Sequence, residues 1–148
     1  MKVVINACCG GFSLSPKAVK RLAELQGRDC YFFADKKLVS IEVAEKSWLF
    51  FDAYDMADIS AGNQDDWINW TKAQKDASNA WLDTHRLDNR CVARDNPLLI
   101  KAVEELGSAA ASGPCAELKI IEIPDGIQYE IEEYDGCEKV SEVHMSWS

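Results

Sequence analysis

Residues 118–140, LKIIEIPDGIQYEIEEYDGCEKV, decide the fold class of this chain. Between residues 127 and 132, apolar side chains alternate with Gln and Glu, which is typical of a strand with one buried and one solvated face. Asp135-Gly136 is a signal for a two-residue hairpin turn, because both central positions of that turn take positive φ. The turn predicts that Ile131 lies opposite Val140.

A second turn precedes this hairpin. Pro124-Asp125-Gly126 suits a three-residue loop, with Pro second in a type I turn and Gly in the left-handed position. It follows a predicted strand over residues 118–123 and sets Ile123 opposite Ile127. The two turns together predict a C-terminal antiparallel meander.

The N-terminal third predicts a strand, a helix and a second strand. Val3-Val4-Ile5 is a short β-branched run, and residues 30–34 form another apolar run. Ser15 is a good N-cap, Pro16 suits the first helical position, and Gly27 suits the residue after a helix. The order strand, helix, strand predicts a βαβ unit with parallel strands and a right-handed crossover.

The middle of the chain predicts three more helices. Ser40 caps the first, Asn63 caps the second, and the third begins at Asn96-Pro97 and ends at Gly107. With the strands above, this predicts a single domain over residues 1–148 in the α+β class. Its expected architecture is a mixed sheet of about five strands with helices packed on one face.

Composition narrows the functional classes. The chain has 148 residues, 47% of them hydrophobic and 28% charged, with a net charge of −9 and a pI near 4.7. Such an acidic chain is not expected to bind nucleic acid directly, since Lys and Arg must replace the phosphate counterions there. No run approaches the ~18 apolar residues of a membrane span, and no signal peptide core is present. We therefore expect a cytoplasmic protein.

Six cysteines and two histidines offer no metal motif. No C-x-x-C pair occurs, and a zinc site needs four ligands at compatible spacing. We expect no metal, no cofactor and reduced thiols, as is usual in the cytoplasm.

One candidate ligand site is the loop between the first strand and the first helix. Two adjacent glycines allow close approach to the backbone, and the following helix N-terminus favours an anion. The alternative is a plain tight connection. Cys8 or Cys9 as a nucleophile lacks a local base. The candidate ligand-binding residues are Asn6, Gly10, Gly11, Phe12, Ser13, Arg21 and Arg94.

Two further surfaces have alternatives of their own. Arg86, Arg90 and Arg94 would line one helix face if the helix runs that far, and there they bind a phosphate or carboxylate or else pair with acidic side chains. Residues 117–148 hold nine acidic and two basic side chains, which suits either docking on a basic partner or a merely solvated face. The tryptophans at 67, 70 and 81 form a partner hot spot or a core stripe. The candidate protein-docking residues are Glu130, Glu132, Asp135 and Glu138.

Three stretches of the chain together form a pattern that is found in a known group of proteins. They are KVVIN with Cys8, GGF and LS in residues 2–15, NPLL with VEELG in residues 96–107, and EIPDG with YEIEEYDG in residues 122–136. Together they resemble a widespread family of small uncharacterised proteins of tailed phages and prophages. The chain departs from that pattern at Cys9, Lys139 and Met145. The resemblance brings no activity and no functional residue.

The resemblance implies a phage accessory protein that works in the cytoplasm of the bacterial host. We expect it to act by binding and to antagonise a host defence or host process, either by docking on a host protein or by sequestering a small nucleotide signal. The alternative is a small enzyme that acts on a nucleotide or amide through the glycine loop and a cysteine. A binder is favoured because no acid–base pair, metal cluster or activated nucleophile can be assembled from the sequence. We expect no membrane contact, and the sequence leaves homo-oligomers open.

Overall fold

The computed structural model describes residues 1–46, 51–60 and 67–143. Its helices and strands place the protein in the α+β class, as the sequence predicted. The strands are β1 (Lys2–Asn6), β2 (Tyr31–Ala34), β3 (Lys37–Val39), β4 (Asp52–Tyr54), β5 (Leu118–Glu122), β6 (Tyr129–Tyr134) and β7 (Cys137–Glu142). The helices are α1 (Pro16–Leu25), α2 (Ile41–Lys46), α3 (Lys72–His85), α4 (Pro97–Leu106) and α5 (Ser108–Ala111), with a 3₁₀ turn at Trp67–Asn69. None of these helices is long and apolar enough to cross a bilayer.

Within the described ranges the strands form three small antiparallel sheets, so the expected mixed sheet of about five strands is wrong. β1 pairs with β5, β2 lies between β3 and β4, and β6 pairs with β7. The βαβ prediction fails because both edges of β2 are already taken. A tight turn at Asp35 and Lys36, both with positive φ, brings β3 back onto one edge, and β4 pairs with the other.

The second predicted hairpin is confirmed in its register. Ile131 lies opposite Val140 and Glu132 opposite Lys139, across a turn in which Asp135 has φ 51° and Gly136 has φ 84°. The first predicted hairpin is wrong: β5 pairs with β1, and the Ile123 N–H donates to the Met1 carbonyl. The meander is therefore split, and residues 124–126 connect two sheets.

The helix boundaries follow local chemistry. Ser15 caps α1 with Pro16 at its first position, and Asn96 caps α4, which ends at Leu106 with Gly107 as its C-cap. α3 begins at a capping box of Thr71 and Gln74, while the predicted cap Asn63 lies outside the described residues. α3 ends at His85. The helix does not run far enough for Arg86, Arg90 and Arg94 to share one of its faces.

The main core lies between α1, α4 and the β1–β5 sheet. Val4, Leu14, Leu99 and Leu118 are among its most buried side chains. A second, smaller cluster contains Phe33, Tyr54 and Ile59, with Trp81 packed against it. Trp81 thus contributes to packing, Trp70 is half-buried, and the side chain of Trp67 lies outside the described part.

Candidate functional site

The glycine loop, residues 6–13, begins at a buried asparagine whose hydrogen-bonding capacity is used within the protein. Asn6 Nδ2 donates to the carbonyls of Cys8 (2.6 Å) and Gly136 (2.8 Å). Asn6 Oδ1 accepts from the N–H groups of Cys8 (3.2 Å) and Glu117 (2.9 Å). Two donor and two acceptor positions are the full capacity of an amide. Asn6 therefore joins three chain segments and has nothing left for a ligand.

A buried ion pair lies beside Asn6. The Arg94 guanidinium donates from Nη1 and Nη2 to the two carboxylate oxygens of Glu138 at 2.5 and 2.9 Å, and one of these oxygens also accepts the Asn6 N–H at 2.8 Å. The guanidinium lies 3.5 Å from the centre of the Phe12 ring. Arg94 was a candidate for ligand binding and Glu138 for protein docking, yet the structure pairs them with each other. Every buried side-chain nitrogen and oxygen in the described ranges has a hydrogen-bond partner.

Glu138 is thus not part of an exposed docking surface, and its assignment there is wrong. Its side chain is only 6% exposed. In an antiparallel pair, directly opposite residues share a face, so Glu138 lies on the same side of the hairpin as Ile131 and Val140. The predicted register already places Glu138 on the side of Val140, whereas its charge indicates an exposed position. The pairing of Glu138 with Arg94 could not be predicted from local sequence, because the two residues are 44 positions apart.

The hairpin turn rests directly on the glycine loop. A Cβ atom built on Gly136 would lie 2.5 Å from the Cys9 carbonyl oxygen and 2.6 Å from the Gly11 nitrogen. A Cβ on Gly10 would overlap the Cys115 carbonyl. Phe12 and Ser13 are buried. The Gly10 side of the loop is therefore closed by protein backbone, which matches the tight connection named as the alternative, whereas a Cβ atom built on Gly11 would meet open space.

Arg21, the remaining candidate for ligand binding, lies on α1 and bonds to acidic neighbours. Its Nε donates to Glu105 on α4 at 2.6 Å, and its Nη1 donates to Glu24 at 3.1 Å. These carboxylates raise the pKa of Arg21. Arg21 therefore connects two helices.

The outward side of the β6–β7 hairpin is different. We call the group Glu130, Glu132, Tyr134 and Asp135 the acidic face; all four are exposed, and Tyr134 is 87% exposed. Glu132 pairs with Lys139 at 3.1 Å. Hydrogen bonds from Lys139 and Ser141 lower the pKa of Glu132, so this carboxylate stays charged at lower pH than an ordinary glutamate does. A shallow groove of about 450 Å³ runs beside Tyr134 and Cys137.

A second polar cluster escaped the sequence analysis. His85 Nδ1 lies 2.8 Å from Asp55 Oδ1, Arg28 donates to Asp55 Oδ2 at 2.8 Å, and the Trp81 ring lies 4.8 Å from the imidazole. Burial raises the pKa of Asp55, but the hydrogen bonds from Arg28 and His85 lower it by more, so the net shift is downward. A carboxylate that orients a histidine is one part of an acid–base site. Its members are far apart in sequence, so no local signal marked it.

No protein-family model, no curated protein and no solved structure matches this chain. Within the described ranges, no group of three or more His, Cys, Asp or Glu side chains is placed to hold a metal ion.

Proposed function

We propose that this protein acts by binding, and that it presents the acidic face of the β6–β7 hairpin to a basic surface of a protein partner. The observation that carries the proposal is the contrast between the two sides of one hairpin. The inner side holds the Arg94–Glu138 ion pair, whereas the outer side exposes three carboxylates around an almost fully exposed Tyr134. Tyrosine is enriched among residues that dominate binding energy.

The hairpin is held in place before any partner arrives. Asn6 bonds to the Gly136 carbonyl, Glu138 bonds to Arg94, and Gly136 packs on Cys9. An isolated two-stranded hairpin is marginally stable at best in water, so these contacts give the acidic face a defined shape. A preorganised surface loses less conformational entropy on binding.

The negative charge supports recognition of a basic partner. Carboxylates at Glu130, Glu132 and Asp135 attract Lys and Arg side chains and steer diffusional encounter. An acidic strand pair also imitates the charge of a phosphate backbone. Together with the resemblance to phage proteins, this supports a phage accessory protein that antagonises a host defence or host process in the bacterial cytoplasm.

The test reverses the charge of the acidic face. Glu130→Lys/Glu132→Lys changes four charge units and breaks one exposed ion pair, which contributes about 0–1 kcal/mol, so the fold stays intact. Asp76→Lys/Asp83→Lys makes the same charge change on the exposed surface of α3 and serves as the matched control. Proteins captured from a bacterial lysate by the wild type are purified, and their association rates with all three forms are measured by surface plasmon resonance.

We expect the reversed hairpin to associate at least about tenfold more slowly, the lower end of electrostatic rate enhancement, and the control to match the wild type. The wild-type rate should fall as salt rises from about 0.1 M to about 1 M, because the Debye length shrinks from about 10 Å to about 3 Å. Equal rates for wild type and reversed hairpin, or rates that do not respond to salt, contradict the proposal.

A further inference from the structure

The loop between α3 and α4 forms the wall of a cleft that the proposed docking function does not use. The cleft has a volume of about 330 Å³, within the range of roughly 300–1,000 Å³ that small-molecule sites occupy. We call it the arginine cleft; its lining residues are Phe51, Asp52, Arg86, Asp88, Asn89, Arg90 and Cys91.

Two arginines in the cleft are weakly engaged. The Arg86 guanidinium lies 3.8 Å from the Asp52 carboxylate, at the outer limit of an ion pair, and its side chain is half exposed. Arg90 is exposed, and none of the described carboxylates lies within 4 Å of its guanidinium. Arg94 and Arg21, by contrast, are held by carboxylates at 2.5 and 2.6 Å. Arg86 and Arg90 are therefore available to an anion.

The second carboxylate in the cleft, that of Asp88, forms hydrogen bonds with the backbone of its own loop. Its Oδ1 accepts the N–H groups of Arg90 at 2.8 Å and Cys91 at 3.0 Å. Burial raises the pKa of Asp88, but these backbone hydrogen bonds, the nearby charge of Arg86 and a hydrogen bond from the Asn89 backbone together lower it by more. The charged carboxylate holds the loop in one shape and so fixes where the Arg90 side chain leaves the backbone.

The opposite wall of the cleft combines an aromatic ring with an acceptor. The Phe51 and Phe32 rings pack at 68° to each other, with 5.9 Å between ring centres, and Phe51 remains half-buried where it lines the cleft. Asp52 is exposed beside it at the start of β4. An aromatic face stacks nucleic-acid bases of any sequence, and a carboxylate accepts hydrogen bonds from ribose hydroxyls.

We propose that the arginine cleft binds a nucleoside phosphate. Arg86 and Arg90 hold the phosphate by forked hydrogen bonds, Phe51 stacks on the base, and Asp52 accepts from the ribose hydroxyls. The cleft and the acidic face share no residue, so loss of either site leaves the other in place.

The thiol of Cys91 gives a direct test, because it is exposed and lines the cleft. Wild-type protein is treated with N-ethylmaleimide in the presence of AMP, GMP, CMP or UMP, and each cysteine is followed by peptide mass spectrometry. Cys9 and Cys115 are also exposed but lie outside the cleft, so they are internal controls. Calorimetry with the same nucleotides, and with ribose 5-phosphate and inorganic phosphate alone, gives affinities.

We expect at least one nucleotide to slow alkylation of Cys91 severalfold without affecting Cys9 or Cys115. Arg86→Gln/Arg90→Gln should weaken its binding at least about tenfold, as loss of charge-assisted phosphate contacts does. Lys17→Gln/Lys20→Gln, which removes the same charge from α1, should not. Ribose 5-phosphate should bind at least about fivefold more weakly than the nucleotide, because it lacks the stacked base.

Three results overturn the inference. One is that, at millimolar concentration, none of the four nucleotides gives a calorimetric binding signal or protects Cys91 from alkylation. Another is unchanged nucleotide affinity in the arginine variant. The third is equal affinity for inorganic phosphate and nucleotides, which assigns the cleft to simple anions. Since the acidic face is intact in every variant used, none of these results bears on protein docking.

Discussion

Replacing Arg94 with Met removes the guanidinium that faces the buried carboxylate of Glu138. The two side chains are only 18% and 6% exposed, and they form a two-pronged contact at 2.5 and 2.9 Å. Removing one partner of a buried pair costs about 3–5 kcal/mol, because the other charge stays buried without compensation. Met keeps much of the volume beside Phe12, so the loss reports charge rather than a cavity. We expect the free energy of unfolding to fall by about 3–5 kcal/mol.

Two companion variants separate this effect from a general weakening of the hairpin. Lys139→Met breaks the ion pair with Glu132 on the opposite side of the same hairpin, where the side chains are 75% and 45% exposed. Exposed pairs contribute about 0–1 kcal/mol, so this variant should be nearly as stable as the wild type. Arg94→Met/Glu138→Leu removes both buried charges and should recover most of the loss, since apolar replacement of a buried pair is often neutral.

Urea denaturation followed by tryptophan fluorescence measures all three, with the midpoint and slope giving the free energy of unfolding. The reasoning is refuted if Arg94→Met and Lys139→Met cost the same, or if the double variant is no more stable than Arg94→Met. Either result would mean that the buried charges do not hold the hairpin on the glycine loop.

Three other predictions follow from single contacts. Gly136→Val should lower stability by at least about 1–3 kcal/mol, the cost of a strained φ, because the new Cβ also lies 2.5 Å from the Cys9 carbonyl; an unchanged thermal midpoint contradicts this. Asp55→Asn should destabilise the protein at pH 7 but progressively less as the pH falls below the usual Asp pKa of 3.8. The folded pKa of Asp55 is lowered, so its stabilisation is present above the unfolded value and lost as pH falls through the folded one; an equal loss of urea midpoint at pH 7 and pH 3 would refute it. All six thiols should alkylate in native protein, with Cys30 the slowest, because burial raises its pKa to about 11; mass spectrometry that finds a disulfide in most molecules would overturn this.

The features predictable from sequence are those in which neighbouring residues decide the structure. Asp135-Gly136 sets the register of β6 and β7 because a two-residue turn allows only one pairing. Ser15-Pro16 and Asn96-Pro97 start α1 and α4 because capping needs only a side chain and the next few N–H groups.

The features that failed depend on partners far away along the chain. The pairing of β1 with β5 is determined by tertiary packing, and the sequence of β1 does not indicate which strand it pairs with. Asn6 carried a signal for a polar site, but whether its amide faces a ligand or three backbone segments depends on where residues 117 and 136 arrive. The charge of Glu138 indicates an exposed side chain, but strand alternation places it on the buried side of the hairpin, where Arg94 compensates the charge. The arginine cleft depends on a loop whose shape comes from one Asp88 turn rather than from a helix.

The pairing of β1 with β5 also constrains how the protein is made. Val3, Val4 and Ile5 are almost completely buried in the finished molecule, yet β5 is separated from them by more than a hundred residues. At a synthesis rate of about 5–20 residues per second, β5 leaves the ribosome on the order of ten seconds after this apolar strand does. During that interval the backbone edge of β1 is open to pairing with other chains. A nascent chain stopped before residue 118 should therefore aggregate or bind chaperones, and release of the complete C-terminal region should end that exposure.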